Sequence, residues 1–308
     1  MDKLISVCAT ALPVFLAIAM GMFCRSRGFL TRDGVDTLKK VVLNLTLPFV
    51  LLGAFATAEY SLAALILPGI MFVLCCLALA LGHGILKLFG VKSRLAPFLA
   101  SGFEAGMLGY ALFVLLFPQE SVSRFALLDL GQTLFVFTLF KILLSGKKDM
   151  RAIGKDMATS PILWAVAAGV IIGATGLYGV MEKTKVSLVF DSLTSFLSAP
   201  TGMVILLTVG YDLVLKEIPW KKTVGFIAVR LGVMAVCYGL IVLLNRTVLS
   251  GMIFEGAALL MMILPPPYVI PVFADEPTER VQISGALSAL TLVCVVLFAV
   301  LSVIYGVQ

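Results

Sequence analysis

Charge is what this chain has least of. Asp, Glu, Lys and Arg together make up 13% of its 308 residues, about half the share found in an ordinary soluble domain. Histidine occurs once, at His83, and a lone imidazole cannot build a metal site. The six cysteines, Cys8, Cys24, Cys75, Cys76, Cys237 and Cys294, sit in apolar stretches without paired metal spacing. Cysteines of that kind are expected to be packing residues. There is no paired-histidine motif, no phosphate-binding glycine loop ending in Lys-Ser/Thr, and no aspartate-rich cluster; each of those would signal a specific chemistry. ATP hydrolysis on this chain is therefore not expected, no cofactor or metal is implied, and the chain is not read as an enzyme.

Apolar sequence fills the space that charge leaves. Hydrophobic residues make up 61% of the chain and the mean hydropathy is +1.11. A spanning helix needs about 20 apolar residues. Ten stretches approach or exceed that length: 5–24, 41–58, 63–89, 95–117, 122–145, 161–180, 187–215, 223–245, 253–273 and 281–306. The expectation is an all-α membrane protein with ten transmembrane helices and no room for a soluble domain. The first stretch runs straight into Arg25 and lacks a small-residue cleavage signature, so it is expected to be a retained helix and not a signal peptide.

The basic balance, with a pI near 9.0, does not point to nucleic acid, because the cations are sorted by loop. Of the 23 Lys and Arg, 17 fall after the first, third, fifth, seventh and ninth stretches or beside them, among them Arg25, Arg32, Lys39, Arg94 and Arg280. By the positive-inside rule those loops face the cytoplasm. A multi-pass protein of the cytoplasmic (inner) membrane follows, with both termini outside and lipid as its surroundings. Nothing in the residues decides whether it is a homodimer.

Pro265-Pro266-Pro267 interrupt the ninth stretch. Each proline in a helix interior costs about 3 kcal/mol, and irregular backbone at membrane depth survives only where protein buries it or it lines a wet cavity. The two halves of the chain can also be laid over one another. Glu120 and Arg124 match Glu276 and Arg280 at an offset of 156, which carries Gly109 onto Pro265, while Asn44 to Pro48 answers Phe196 to Pro200. Five spans per half is an odd number, so the second half enters from the other face. This is an inverted repeat with paired broken, crossing helices. The organisation expected is a first repeat at 1–145, a cytoplasmic loop at 146–160 and a second repeat at 161–308. The first break is expected within 102–110, where Gly102, Gly106 and Gly109 take the place of prolines. The alternative is that those glycines form a stripe for close helix packing.

Ionisable groups inside spans are costly and by default functional. Glu104, just before the expected break, is the sharpest candidate, as a protonatable coupling group or as the partner of Arg230 in a structural ion pair. Asp129 and Gln132, three apart, share a helix face and are expected to support the break. Asn44 and Thr46 before Pro48 can face a solute or only satisfy a kink. Gly106, Gly109, Pro265, Pro266, Pro267 and Tyr268 complete the expected substrate site.

Asn44-Leu-Thr-Leu-Pro48, Phe103-Glu-Ala-Gly-Met-Leu-Gly109, Leu128-Asp-Leu-Gly-Gln-Thr133, Ser198-Ala-Pro200 and Val209-Gly-Tyr-Asp-Leu213 occur in an order that resembles bacterial members of the auxin efflux carrier family. The resemblance covers nearly the whole chain. It implies a fold similar to that of bile acid sodium symporters, a scaffold domain of spans 1, 2, 6 and 7, a transport domain of the others, and export or import of small organic anions. The chain departs from the family in carrying Glu104 where asparagine is usual and Ala111 where proline is usual. A carboxyl there fits proton-coupled anion transport, or a neutral or cationic solute, with proton or sodium as the coupling ion. The function expected is secondary active transport by alternating access; the rival is a membrane receptor or sensor built on the transporter fold.

Overall fold

Two glycine seams decide how the first helices pack. The computed structural model describes residues 2–58, 60, 66–145, 154–155, 158–213, 218, 220–274 and 276–305, the side chains of 2–8, 221 and 222 excepted. Helix α1 (Asp2–Ser26) lies along α11 (Thr201–Asp212). A Cβ on Gly21 would run into the carbonyl of Leu207, and one on Gly210 into that of Ile18, so the two backbones touch. The same device, small residues admitting a neighbouring backbone, joins α3 (Leu47–Ala56) to α8 (Pro161–Ala174), where Gly169 meets Phe55 and the Leu52 carbonyl. Helix α10 (Ser187–Ser198) adds to this group by packing on α3, with Gly53 against Thr194.

A second group forms around α4 (Ile66–Leu88), α6 (Val122–Phe135), α12 (Trp220–Thr247), α13 (Glu255–Ile263) and α14 (Pro277–Tyr305). Gly131 of α6 sits directly on the Pro68 carbonyl of α4. Between α4 and α6 run a 3₁₀ turn (Ala96–Ala100), a π-helical turn (Ala105–Gly109) and α5 (Tyr110–Leu116). In the first group α2 (Arg32–Val41) passes into α3 through a second π-helical turn, Val42–Thr46. Helix α7 (Lys141–Ser145) extends α6 and α9 (Leu177–Lys183) extends α8.

The described residues are helical or irregular, with no strand among them. Eight of their helical segments are long and apolar enough to cross a membrane, or nine if α8 and α9, bent by 67°, count as one span. The difference from the expected ten lies at 161–180, where the helix is bent, and at 253–273. Helix α13 stops after nine residues, and Leu264 to Pro267 continue as extended backbone before a short 3₁₀ turn at Ile270–Phe273. Most of the expected 146–160 loop, and the expected outward-facing ends at Met1 and 306–308, lie outside the described residues.

Among the described residues, the first cation-bearing loop meets the seventh and the third meets the ninth. Arg32 Nη1 and Lys39 Nζ reach Asp212 at 2.6 and 2.5 Å, and Arg25 Nη1 donates to Tyr211 O at 3.2 Å. Ser93 Oγ donates to Glu279 at 2.6 Å and Arg94 Nη2 to Phe273 O at 3.0 Å. Elsewhere, Arg246 pairs with Glu255 at 3.1 Å.

Candidate functional site

Both breaks follow from local residue chemistry, and they meet. In the first, the chain leaves the Ala96–Ala100 turn at Ser101, which is extended, and reverses at Gly102, whose φ of +68° is a conformation L side chains rarely adopt. Glycine takes it without a steric penalty. A Cβ at Gly102 would stand 3.0 Å from the Pro267 ring, so the glycine of one break admits a proline of the other. In the second, three prolines supply no amide donors and hold the strand-like course between Leu264 and Tyr268. The Glu104 amide donates to Pro265 O at 2.8 Å, and Glu104 Oε2 accepts the Tyr268 amide at 2.7 Å. One residue thus bonds the second break through both its backbone and its side chain.

Arg230 closes the arrangement from α12. Its guanidinium donates to Leu99 O at 2.8 Å, Gly102 O at 2.9 Å and Leu264 O at 2.7 Å, and it lies 5.6 Å over the Phe103 ring. Leu99 O and Leu264 O lie at the ends of the helical segments before the breaks, where acceptors are left unpaired, and Gly102 O lies in the first break itself. The ion pair between Arg230 and Glu104 considered from sequence is not formed: none of the three bonds goes to Glu104. A planar fork with five donors suits three backbone acceptors better than one carboxylate.

Asp129 and Gln132 stand behind the first break. Gln132 Nε2 donates to Phe103 O and to Asp129 Oδ1, both at 3.1 Å, and Tyr110 Oη donates to Asp129 Oδ2 at 2.9 Å. The side chains at i and i+3 share a face and pass a hydrogen bond to backbone that the break has left without a helical partner. Tyr268 Oη pairs with Thr291 Oγ1 at 3.0 Å.

A cavity of about 1020 Å³ lies between the two helix groups. Leu43, Leu47, Leu51, Ile162 and Val209 line it from the first group; Glu104, Gly106, Asp129, Gln132, Pro267 and Tyr268 line it from the second. Arg25, Arg32, Lys39, Asp212 and Arg280 stand at helix ends beside the cationic loops. Arg280 and Thr291 both line the cavity on α14, and their separation along that helix is about 16 Å at 1.5 Å per residue. Four cations and Asp212, which pairs with two of them, therefore line one end of the cavity, and the Glu104 and Asp129 carboxyls line it at the first break.

Other expected site residues fall elsewhere. Asn44 and Thr46 do not line the cavity: Asn44 Nδ2 donates to Lys40 O at 2.8 Å, and Thr46 Oγ1 accepts Thr201 Oγ1 at 2.8 Å. Both occur in the π-helical turn, and the wall is made by Leu43, Leu47 and Leu51, spaced four apart. Gly109 is not a break residue. Its φ of −59° is helical, and its missing side chain makes room for Phe125 and Leu264, so here the packing alternative describes the glycine. Pro265 and Pro266 are buried beside the break without lining the cavity. Phe103, Tyr110 and Thr291 were not singled out from the sequence; the only signal for the last two is a hydroxyl within an apolar stretch.

These helices make a multi-pass membrane protein, and comparison with known proteins supports a transporter. The chain is 27% identical over 226 residues to an uncharacterized transporter of Methanocaldococcus jannaschii, covering 70% of this chain and 71% of that protein. It is 29% identical over 179 residues to an uncharacterized transporter of Methanothermobacter thermautotrophicus, covering 54% of this chain and 58% of the relative. No family model matches the chain.

Proposed function

We propose that this protein is a gradient-driven secondary transporter of the auxin efflux carrier type, moving a small organic acid anion across the cytoplasmic membrane by alternating access. In this reading the chain crosses the membrane ten times as two inverted five-helix repeats, with α13 and its irregular continuation as the ninth span. Helices α1, α3, α8, α10 and α11 form the scaffold; the other group, carrying both breaks, is the moving body. The observation that carries the reading is the joining of two broken helices, Glu104 N to Pro265 O, beside a cavity lined by both helix groups. Irregular backbone at that depth belongs to solute and ion pathways.

Glu104 is the coupling group in this scheme. Its carboxylate occupies the Tyr268 amide, the donor an incoming acid needs. Protonation of Glu104 removes a negative charge from the cavity and releases the amide to the solute's carboxylate, so one proton enters with one anion. The cations lining one end of the cavity draw the anion in. The chain is not an enzyme in this scheme and needs no cofactor.

The test is uptake of labelled organic acids into proteoliposomes containing only this chain, driven by an imposed pH gradient. Saturable uptake that follows the gradient is expected, and Glu104→Gln should carry solute without that dependence or not at all. Unchanged uptake and pH dependence in Glu104→Gln sinks the coupling role. Binding without flux means a receptor built on a transporter's plan.

A further inference from the structure

One buried polar atom at the breaks has no partner. Gln132 is 5% exposed, and its Oε1 is buried without a hydrogen bond among the described residues. The orientation of the amide is fixed by its neighbours: turning it over would set Oε1 against Phe103 O and Asp129 Oδ1, both acceptors, and leave neither with a donor. An acceptor held this way is costly to leave unpaired. Gln132 also borders the cavity, so the missing donor has a place from which to come.

Its position says what kind of donor. Gln132 is bonded to the carbonyl of Phe103, and the next residue, Glu104, holds the Tyr268 amide. The free acceptor and the amide assigned above to the solute's carboxylate are therefore tied to consecutive residues of the first break, Phe103 and Glu104. We propose that the solute carries a hydrogen-bond donor, a hydroxyl or an ammonium group, on the carbon next to its carboxylate, and that Gln132 Oε1 selects for it. An acid without that donor leaves the acceptor unpaired on binding, which is how a polar site rejects an analogue of the same shape. An ammonium and an uncharged hydroxyl can each make that bond. Leu43, Leu47, Leu51, Val136 and Phe137 along the cavity accept a branched apolar remainder. The inference rests on the transporter reading of this cavity.

Three acids with one skeleton test it: 4-methylpentanoate, its 2-hydroxy derivative, and its 2-amino derivative, leucine. Binding to the purified full chain in detergent is measured by thermal shift and by displacement of a labelled acid. At least one donor-bearing acid should bind about tenfold or more tighter than 4-methylpentanoate, and the better of the two identifies the donor. In Gln132→Met that preference should disappear. Equal binding of all three, binding of none, or a preference that survives in Gln132→Met overturns the inference. Should Gln132→Met not fold, the parent chain alone decides: donor-bearing acids that bind no tighter than 4-methylpentanoate overturn the inference. Flux separates the two readings. If 4-methylpentanoate is carried as well as leucine, transport stands and the selectivity falls; if leucine binds selectively but nothing is carried, the selectivity stands and transport falls.

Discussion

Replacing Arg230 by methionine should loosen both breaks at once. The guanidinium makes three bonds to buried carbonyls, at 2.7 to 2.9 Å, two from the first break and one from the second. Bonds from a charged donor contribute about 1.5–3 kcal/mol each, so the gross loss is about 5–9 kcal/mol. Against this stands the penalty for burying a guanidinium at 2% exposure, several kcal/mol that the variant no longer bears. The net expectation is a destabilisation of about 3 kcal/mol. Arg230→Lys keeps the charge but concentrates its donors on one nitrogen, which cannot serve carbonyls on both sides of the crossing, so it should recover less than half. The assay is denaturant unfolding of the detergent-solubilised protein, paired with maleimide labelling read by mass spectrometry. Cys75, Cys237 and Cys294 are at most 1% exposed and should label faster in Arg230→Met. Unfolding within about 1 kcal/mol of the parent, with unchanged labelling, would refute the idea that Arg230 holds the breaks.

Two further substitutions probe the backbone directly. Gly102→Ala forces an L side chain into φ of +68° and against the Pro267 ring; a loss of about 1–2 kcal/mol is expected, and a variant as stable as the parent in the same unfolding assay speaks against a left-handed turn there. Gly131→Val drives a side chain into the Pro68 carbonyl, where rigid backbone cannot yield. Overpacking of that kind costs about 1–3 kcal/mol or more, so poor recovery of monodisperse protein by size exclusion is expected, and a normal profile contradicts the α4–α6 seam.

The sequence was most legible where one residue type dictates backbone. Pro265 to Pro267 break a helix wherever they occur, and the break lies where they stand. The glycine break was read less well. Any of three glycines can bend a chain, and only a φ above zero distinguishes Gly102 from Gly109, whose small size serves packing. The two breaks also stand further apart than the 156-residue offset linking Glu120 to Glu276, so matched polar residues at span ends did not carry the register into the span interiors. Asn44 and Thr46 turned away because a π-helical turn shifts the faces that a regular 3.6-residue period predicts. Asp129 and Gln132 were paired correctly on one face, since a spacing of three is a local property. The partners of Arg230 were out of reach from sequence: three backbone carbonyls from two distant segments leave no trace in side-chain identity.

The most direct test of alternating access locks the two helix groups together. A Cβ at Gly106 would lie 3.3 Å from Leu47 Cδ2, where the two groups meet beside the cavity, so Leu47→Cys with Gly106→Cys in a background lacking the native cysteines is a pair for a short thiol cross-linker that a reductant cleaves. In proteoliposomes taking up labelled leucine or its 2-hydroxy analogue, cross-linking should abolish saturable uptake and a reductant should restore it. Uptake that continues at the same rate with the pair fully cross-linked would contradict movement of one group against the other.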